Sequence, residues 1–299
     1  MASRRLRGPR ARRTFVAVSP VSDASSDEAP VGSGGDGPGG EESADESQLV
    51  RVGCAGLPAG VSRAAYFERL DLLETDVTFF EPPREIALKR WRGEAPPACA
   101  FSALAWQLIT HDADNPGYSR LLHPLEPTLR TQVGSFRDTE TVRDAWSKTL
   151  AGARALGAEV VLFQTPAGFS PSEPNRTALR RFFGEIATDR AGLTLAWEPM
   201  GLWEPAQAST LANELDLVYA LDPLQLEVPP PDEPKAYFRI HGLGIYRNKL
   251  ADDLMELLAD MVEGYDRAWV VFANVEKYRD AQHFHRLVAG RAFVNPDED

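Results

Sequence analysis

Cysteine is almost absent: Cys54 and Cys99 are the whole complement, each inside an apolar, strand-like run. Two thiols make neither a disulfide scaffold nor a metal cage, and they fit a reducing, cytoplasmic setting. Long apolar runs are missing as well, since none reaches the roughly 18 residues that suggest a membrane span. Positive charge is in deficit. A formal net charge of -12 disfavours long-range attraction to nucleic acid or to an anionic membrane. Two chemical signatures are also lacking. No HxH or HExxH spacing stands at a strand end, and Gly53-Cys54-Ala55-Gly56 has no third glycine at the offset that a dinucleotide fingerprint needs. The sequence therefore assigns no metal ligand and identifies no cofactor.

What is present falls into two parts. Residues 1–48 open on Arg4, Arg5, Arg7, Arg10, Arg12 and Arg13, then turn from Ser22 onward to Ser, Gly, Pro and acids. This stretch has too few apolar residues to bury anything and reads as a disordered tail. Phe15 to Val18 is too short for the apolar core of about 7–15 residues in a signal peptide, and Pro20 follows it. The arginine run reads as a solvated tail, with a nucleic-acid-binding arm and an organelle transit peptide as alternatives.

From residue 49 to 299 the texture is that of one folded domain. Strand patterns stand at Leu49–Gly56, Leu73–Phe80, Ala98–Trp106, Val160–Pro166, Leu193–Pro199, Leu217–Pro223, Tyr237–Gly242 and Ala268–Asn274. Val160 to Phe163 is continuously apolar, as a parallel strand covered on both faces should be. Helical patterns separate most of the strands. The clearest runs from Thr139 to Leu156, with Val142, Trp146, Leu150 and Ala153 at spacings of three or four and Gly157 as its stop. His111 to Thr139 is a long irregular section with Pro116, Pro124 and Pro127, a length usually associated with lids or function. Eight strands alternating with helices over about 250 residues predict an α/β fold, a parallel eight-stranded (β/α)8 TIM barrel. The open doubly wound sheet is the alternative.

Polar residues recur where these strands end. Tyr237, Arg239 and His241 share one face of the seventh strand by its period of two. Glu74, Asp76 and Thr78 are expected to share a face of the second. His111 follows the third strand, Gln164 ends the fourth, Glu198 the fifth, Asp222 the sixth and Asn274 the eighth. Barrel chemistry sits at the carboxyl ends of strands, so these side chains are expected to converge there. Glu198, His241 and Glu74 are the catalytic candidates, because carboxylates and imidazoles perform general acid–base work. Asp76, Thr78, His111, Gln164, Trp203, Arg239 and Asn274 are the substrate-binding candidates. The competing reading for Glu74 and Arg239 is a buried ion pair that fills a barrel layer. Asp222-Pro223 reads equally well as a turn starter.

Several segments together resemble the YecE-like family, domain of unknown function 72. Gly53-Cys54-Ala55-Gly56 is similar to its opening Gly-Thr-Ser-Gly, and Leu73 to Phe80 to its Val-Glu-Ile-Asn-Ser-Thr-Phe-Tyr. Phe101-Ser102 with Ile109-Thr110-His111, Leu162 to Phe169, Glu198 with Trp203, Tyr237 to Gly242, and Phe272-Ala273-Asn274 resemble further motifs of the family, in the same order. The resemblance implies a TIM barrel with a pocket and does not imply a reaction. Two family cations fall on Leu104 and Met200, so the positive charge for an anion such as phosphate is reduced. The expected function is an uncharacterised barrel, read as an enzyme on a small polar or phosphorylated metabolite. The alternatives are a metal-dependent hydrolase of nucleic acid, with Glu74, Glu198, Asp222 and His241 as ligands, and a non-catalytic binding barrel. The expected partner is a small molecule. Nucleic acid is disfavoured by charge, and no membrane is involved.

Overall fold

The computed structural model describes residues 48–190, 192–226, 234–242 and 250–292. The tail expected over residues 1–48 lies outside them except for Gln48. That residue is buried, and its side-chain amide donates to the carbonyls of Val262 and Tyr265.

In chain order come β1 (Leu49–Ala55), α1 (Arg63–Phe67), β2 (Leu72–Thr75), α2 (Val77–Phe80), α3 (Glu85–Gly93), β3 (Ala100–Leu104) and α4 (Gln107–Thr110). Two short 3-10 turns follow, Pro116–Arg120 and Pro127–Leu129. The rest is α5 (Glu140–Leu156), β4 (Ala158–Thr165), α6 (Glu173–Glu185), β5 (Thr194–Pro199), α7 (Pro205–Glu214), β6 (Val218–Leu221), β7 (Lys235–Ile240), α8 (Asp252–Val262), β8 (Arg267–Phe272) and α9 (Lys277–Ala292). Each strand pairs in parallel with its neighbours, and β8 closes onto β1. The expected eight-stranded parallel barrel is what forms. Among the described residues no helix is long and apolar enough to cross a membrane.

Strand alternation divides the core in two. Leu72, Ala100, Leu104, Val160, Leu162, Ala196, Ala220, Tyr237, Trp269 and Val271 fill the barrel interior. The alternate positions, among them Phe101, Val161, Phe163, Trp197, Phe238 and Phe272, face the helices. The stripe Val142, Trp146, Leu150 and Ala153 of α5 is buried against this outer layer, as its spacing predicts. Val142 and Leu150 each contribute roughly 1.5–3 kcal/mol relative to exposure. Gly157 ends α5 in the left-handed region at φ 63, where a side chain is strained. Burial pushes the Cys54 and Cys99 thiols up, to about 12 and about 11, which keeps both protonated.

Two strand boundaries differ from expectation. β2 stops at Thr75 instead of Phe80. Thr78 lies in α2, where its hydroxyl donates to the carbonyls of Thr75 (2.7 Å) and Leu104 (2.8 Å), so the chain turns away from the ladder. Glu74, Asp76 and Thr78 therefore do not share a strand face. β3 stops at Leu104, because Trp106 begins α4 and its indole donates to the Phe80 carbonyl at 2.8 Å.

Candidate functional site

Five strands, β3 among them through Ser102, bring one polar cluster together at the carboxyl end of the barrel. The inward face of β7 supplies Tyr237 and Arg239, followed by His241. β2 supplies Glu74, β5 supplies Glu198 and β4 supplies Gln164. The register places Gln164 directly beside Glu198. Gly242 follows at φ 82, and a Cβ there would stand 2.9 Å from the Cβ of Asn274. Only glycine lets the chain leave β7 so close to β8.

The cluster is layered. At the bottom, Ser102 and Tyr237 hydroxyls are 2.9 Å apart, and Tyr237 donates to Glu74 Oε2 at 2.8 Å. Burial, then the charge of Glu74, raises the Tyr237 phenol well above its ordinary value, so it remains a donor. Arg239 Nε and Nη2 reach Glu74 Oε1 at 3.2 and 3.1 Å, while Nη1 lies 3.5 Å from Glu198 Oε2. All three are buried, with Glu74 wholly so. At the top, His241 Nε2 lies 2.6 Å from Glu198 Oε1 and Gln164 Nε2 lies 2.5 Å from Glu198 Oε2. His241 keeps 32% of its side chain exposed against 4% for Glu198. Gln164 is half-buried.

Electrostatics fix the charge states. Burial alone would raise the Glu198 carboxyl, but Arg239, His241 and Gln164 outweigh it and hold it below its ordinary value. Burial likewise opposes the Arg239 cation, and Glu74 and Glu198 overcome it, so the guanidinium stays charged. Two carboxylates thus share one buried cation, and the pair expected between Glu74 and Arg239 is present.

The other candidates are placed differently. Asp76 is half-buried at the end of β2, its carboxyl pressed against Gly56. His111 is buried, with Nδ1 2.7 Å from the Thr110 hydroxyl and its ring edge-on to Phe79. Burial lowers its imidazole to about 4, so it is neutral. Asn274 donates to Asp280 at 2.7 Å, and its Oδ1 has no hydrogen-bond partner. Asp222 behaves as the turn starter: its carboxylate accepts from the backbone N–H of Leu224 and of His241. Trp203 was expected among the mouth residues. It lies instead outside the barrel, edge-on to Trp197, with its indole donating to the Phe169 carbonyl at 2.6 Å.

Ser102 and Tyr237 were not among the site candidates. The alternation that places Arg239 and His241 inward places Tyr237 there too, whereas nothing local marks Ser102. Among the described residues no group of three or more His, Cys, Asp or Glu side chains could hold a metal ion. A cavity of about 400 Å3, bordered by Arg190, Asp216 and Lys235, lies at the opposite, amino end of β5 to β7.

Fold and cluster define a parallel (β/α)8 barrel with a charged centre at the carboxyl ends of its strands. The chain belongs to the family described as protein of unknown function DUF72, which matches residues 54–298. It is similar to a DUF72 family protein from Enterococcus faecalis V583, at 14% identity and a TM-score of 0.58, over 82% of this chain and 99% of that one. It is also similar to a DUF72 family protein from Thermotoga maritima MSB8, at 14% identity and a TM-score of 0.56, over 81% and 99%. Likeness at this identity bears on fold alone. Among curated proteins none matches.

Proposed function

We propose that the barrel is an enzyme that acts on a small polar metabolite by general acid–base catalysis. In this reading His241 exchanges the proton with the ligand and Glu198 holds it. One observation carries the reading: a half-exposed imidazole lies 2.6 Å from a buried, ionised carboxylate at the end of a barrel strand. Glu198 accepts at Oε1, so the proton of that contact belongs to His241 Nε2, and Nδ1 is left to face the ligand. A carboxylate that steadies an imidazolium makes it a better base, and general base catalysis is worth roughly 10²–10⁴ in rate.

The buried residues act through this pair. Arg239 keeps Glu198 ionised. Glu74 balances Arg239, and Tyr237 with Ser102 holds Glu74 in place. The pairing that the sequence analysis gave as structural for Glu74 therefore supports catalysis from beneath, and Glu74 is a positioning residue. Gln164 borders the ligand beside His241, and Asp76 borders it from β2.

The test uses a small-molecule extract incubated with the protein in D2O and read by mass spectrometry. The proposal expects one species to gain deuterium with the native protein and none with His241→Ala, at equal folded content by circular dichroism. Deuterium gain that survives His241→Ala contradicts it.

A further inference from the structure

The acceptors left free beside Glu198 lie over a buried, ionised carboxylate. Glu198 is ionised and buried, so both of its oxygens only accept. The Gln164 contact at Oε2 must then be made by the NH2 of that amide, which turns Gln164 Oε1 away from Glu198. By the same count, the His241 contact at Oε1 is made by Nε2–H, which leaves Nδ1 without a proton when the ring is neutral. The two half-exposed side chains over Glu198 thus present two acceptors to the mouth, beside the second N–H of the Gln164 amide.

Among the described residues the nearby donors are largely turned elsewhere. Arg239 directs all three nitrogens at Glu74 and Glu198. The amide of Gln225 is spent on Asp222 and on the Gly242 carbonyl. The end of β3 offers Leu104, and the residue after β5 is Met200. Neither is a cation. Lys277 stands across the barrel, with its ammonium on the Ala55 carbonyl of β1. Asp222 adds a second carboxylate directly behind His241, through the His241 backbone N–H at 2.8 Å.

We infer that the Gln164–His241 sector binds a hydrogen-bond donor group, an ammonium in preference to a hydroxyl, and rejects phosphate and carboxylate. The preference for ammonium follows from charge, since Glu198 and Asp222 flank the sector and Arg239 is shared with Glu74. The inference rests on the reading of this mouth as the ligand site. It narrows the substrate to an amine-bearing polar molecule and removes the phosphorylated metabolites that the sequence alone left open.

The probes are ethanolamine, ethylene glycol and inorganic phosphate, at matched ionic strength and at a pH where the ring nitrogen resonances show His241 neutral. The readout is the ring nitrogen resonances of His241, with the exposed His123 as internal control. Ethanolamine is expected to shift His241 saturably, at least about tenfold more tightly than ethylene glycol, a difference of about 1.4 kcal/mol. Phosphate is expected to leave it unmoved. Gln164→Met removes one acceptor and should abolish the ethanolamine preference with the fold intact. A saturable phosphate shift, or equal response to all three probes including none, overturns the inference. Failure is distinguishable from failure of the catalytic reading: His241-dependent deuterium gain in a phosphorylated species sinks this inference alone. The ethanolamine preference without any His241-dependent exchange sinks the catalytic reading alone.

Discussion

Buried charge closes the barrel at both ends, and the two ends are built differently. At the amino end Arg51 lies 3.7 Å from Asp71 and 3.6 Å from Glu159, while its guanidinium also donates to the Ala98 carbonyl. Asp71 is itself spent on the Val52 N–H at 2.7 Å, and Trp269 donates to Glu159 at 2.8 Å. Among the described residues no hydrogen bond is seen there between a titratable ring and a buried carboxylate, although the charge of His285 acts on Asp71 and opposes the effect of its burial. At the carboxyl end the arginine ion pairs are tighter, 3.1 Å to Glu74 and 3.5 Å to Glu198, and the contacts rise in order from a buried tyrosine to a half-exposed histidine. The first arrangement ties loops and backbone together. The second holds one ionised carboxylate under one half-exposed imidazole.

The comparison can be broken first by stability. Removing one partner of a buried pair leaves its charge poorly compensated, so Glu74→Leu should cost about 3–5 kcal/mol in urea unfolding, with Arg239 left only the 3.5 Å contact to Glu198. Arg51→Met should cost less, about 1–3 kcal/mol, because its partners are looser and Glu159 reaches solvent. The reverse order would show that the amino end carries the stability. His241→Ala sharpens the contrast from the other side. It should abolish deuterium gain while changing unfolding free energy by no more than about 1 kcal/mol, since a half-exposed pair is weak.

pH dependence separates the ends by sign. Glu198 is held below its ordinary 4.5, so its contribution is complete above that value and is lost as pH falls below it. Glu198→Gln should therefore flatten the acid limb of stability. Burial raises Asp71 above its ordinary 3.8, so its contribution is present below that value and is lost as pH rises through its folded value. Asp71→Asn should remove that loss. Urea midpoints across the acid range check both, and equal effects from the two substitutions would erase the distinction. The smallest effect concerns His111. Its imidazole is neutral down to about 4 in the fold, against an ordinary 6.5, so stability is full above 6.5 and declines as pH falls towards 4. His111→Gln should remove that decline.

Much of this was legible before the structure. Runs such as Val160 to Phe163 read as doubly covered strands, and alternation alone turned Tyr237, Arg239 and His241 inward. β2 was misjudged because Thr78, Phe79 and Phe80 are good strand formers, and what turns them into α2 is a hydroxyl bond to Leu104 on the next strand. Trp203 was assigned to the mouth because an aromatic after a strand end can serve either side, and its side was decided by Phe169 and Trp197. Partners within the cluster were illegible for a related reason. Which oxygen of Glu198 meets His241, and that Glu74 meets Tyr237, depends on strands that touch only when the barrel closes.

Nitrogen-15 NMR of histidine-labelled protein tests the central claim most directly. When the ring is neutral the account predicts a single His241 tautomer, protonated at Nε2 towards Glu198 and bare at Nδ1. A His241 ring protonated at Nδ1, or exchanging freely between tautomers, would contradict it.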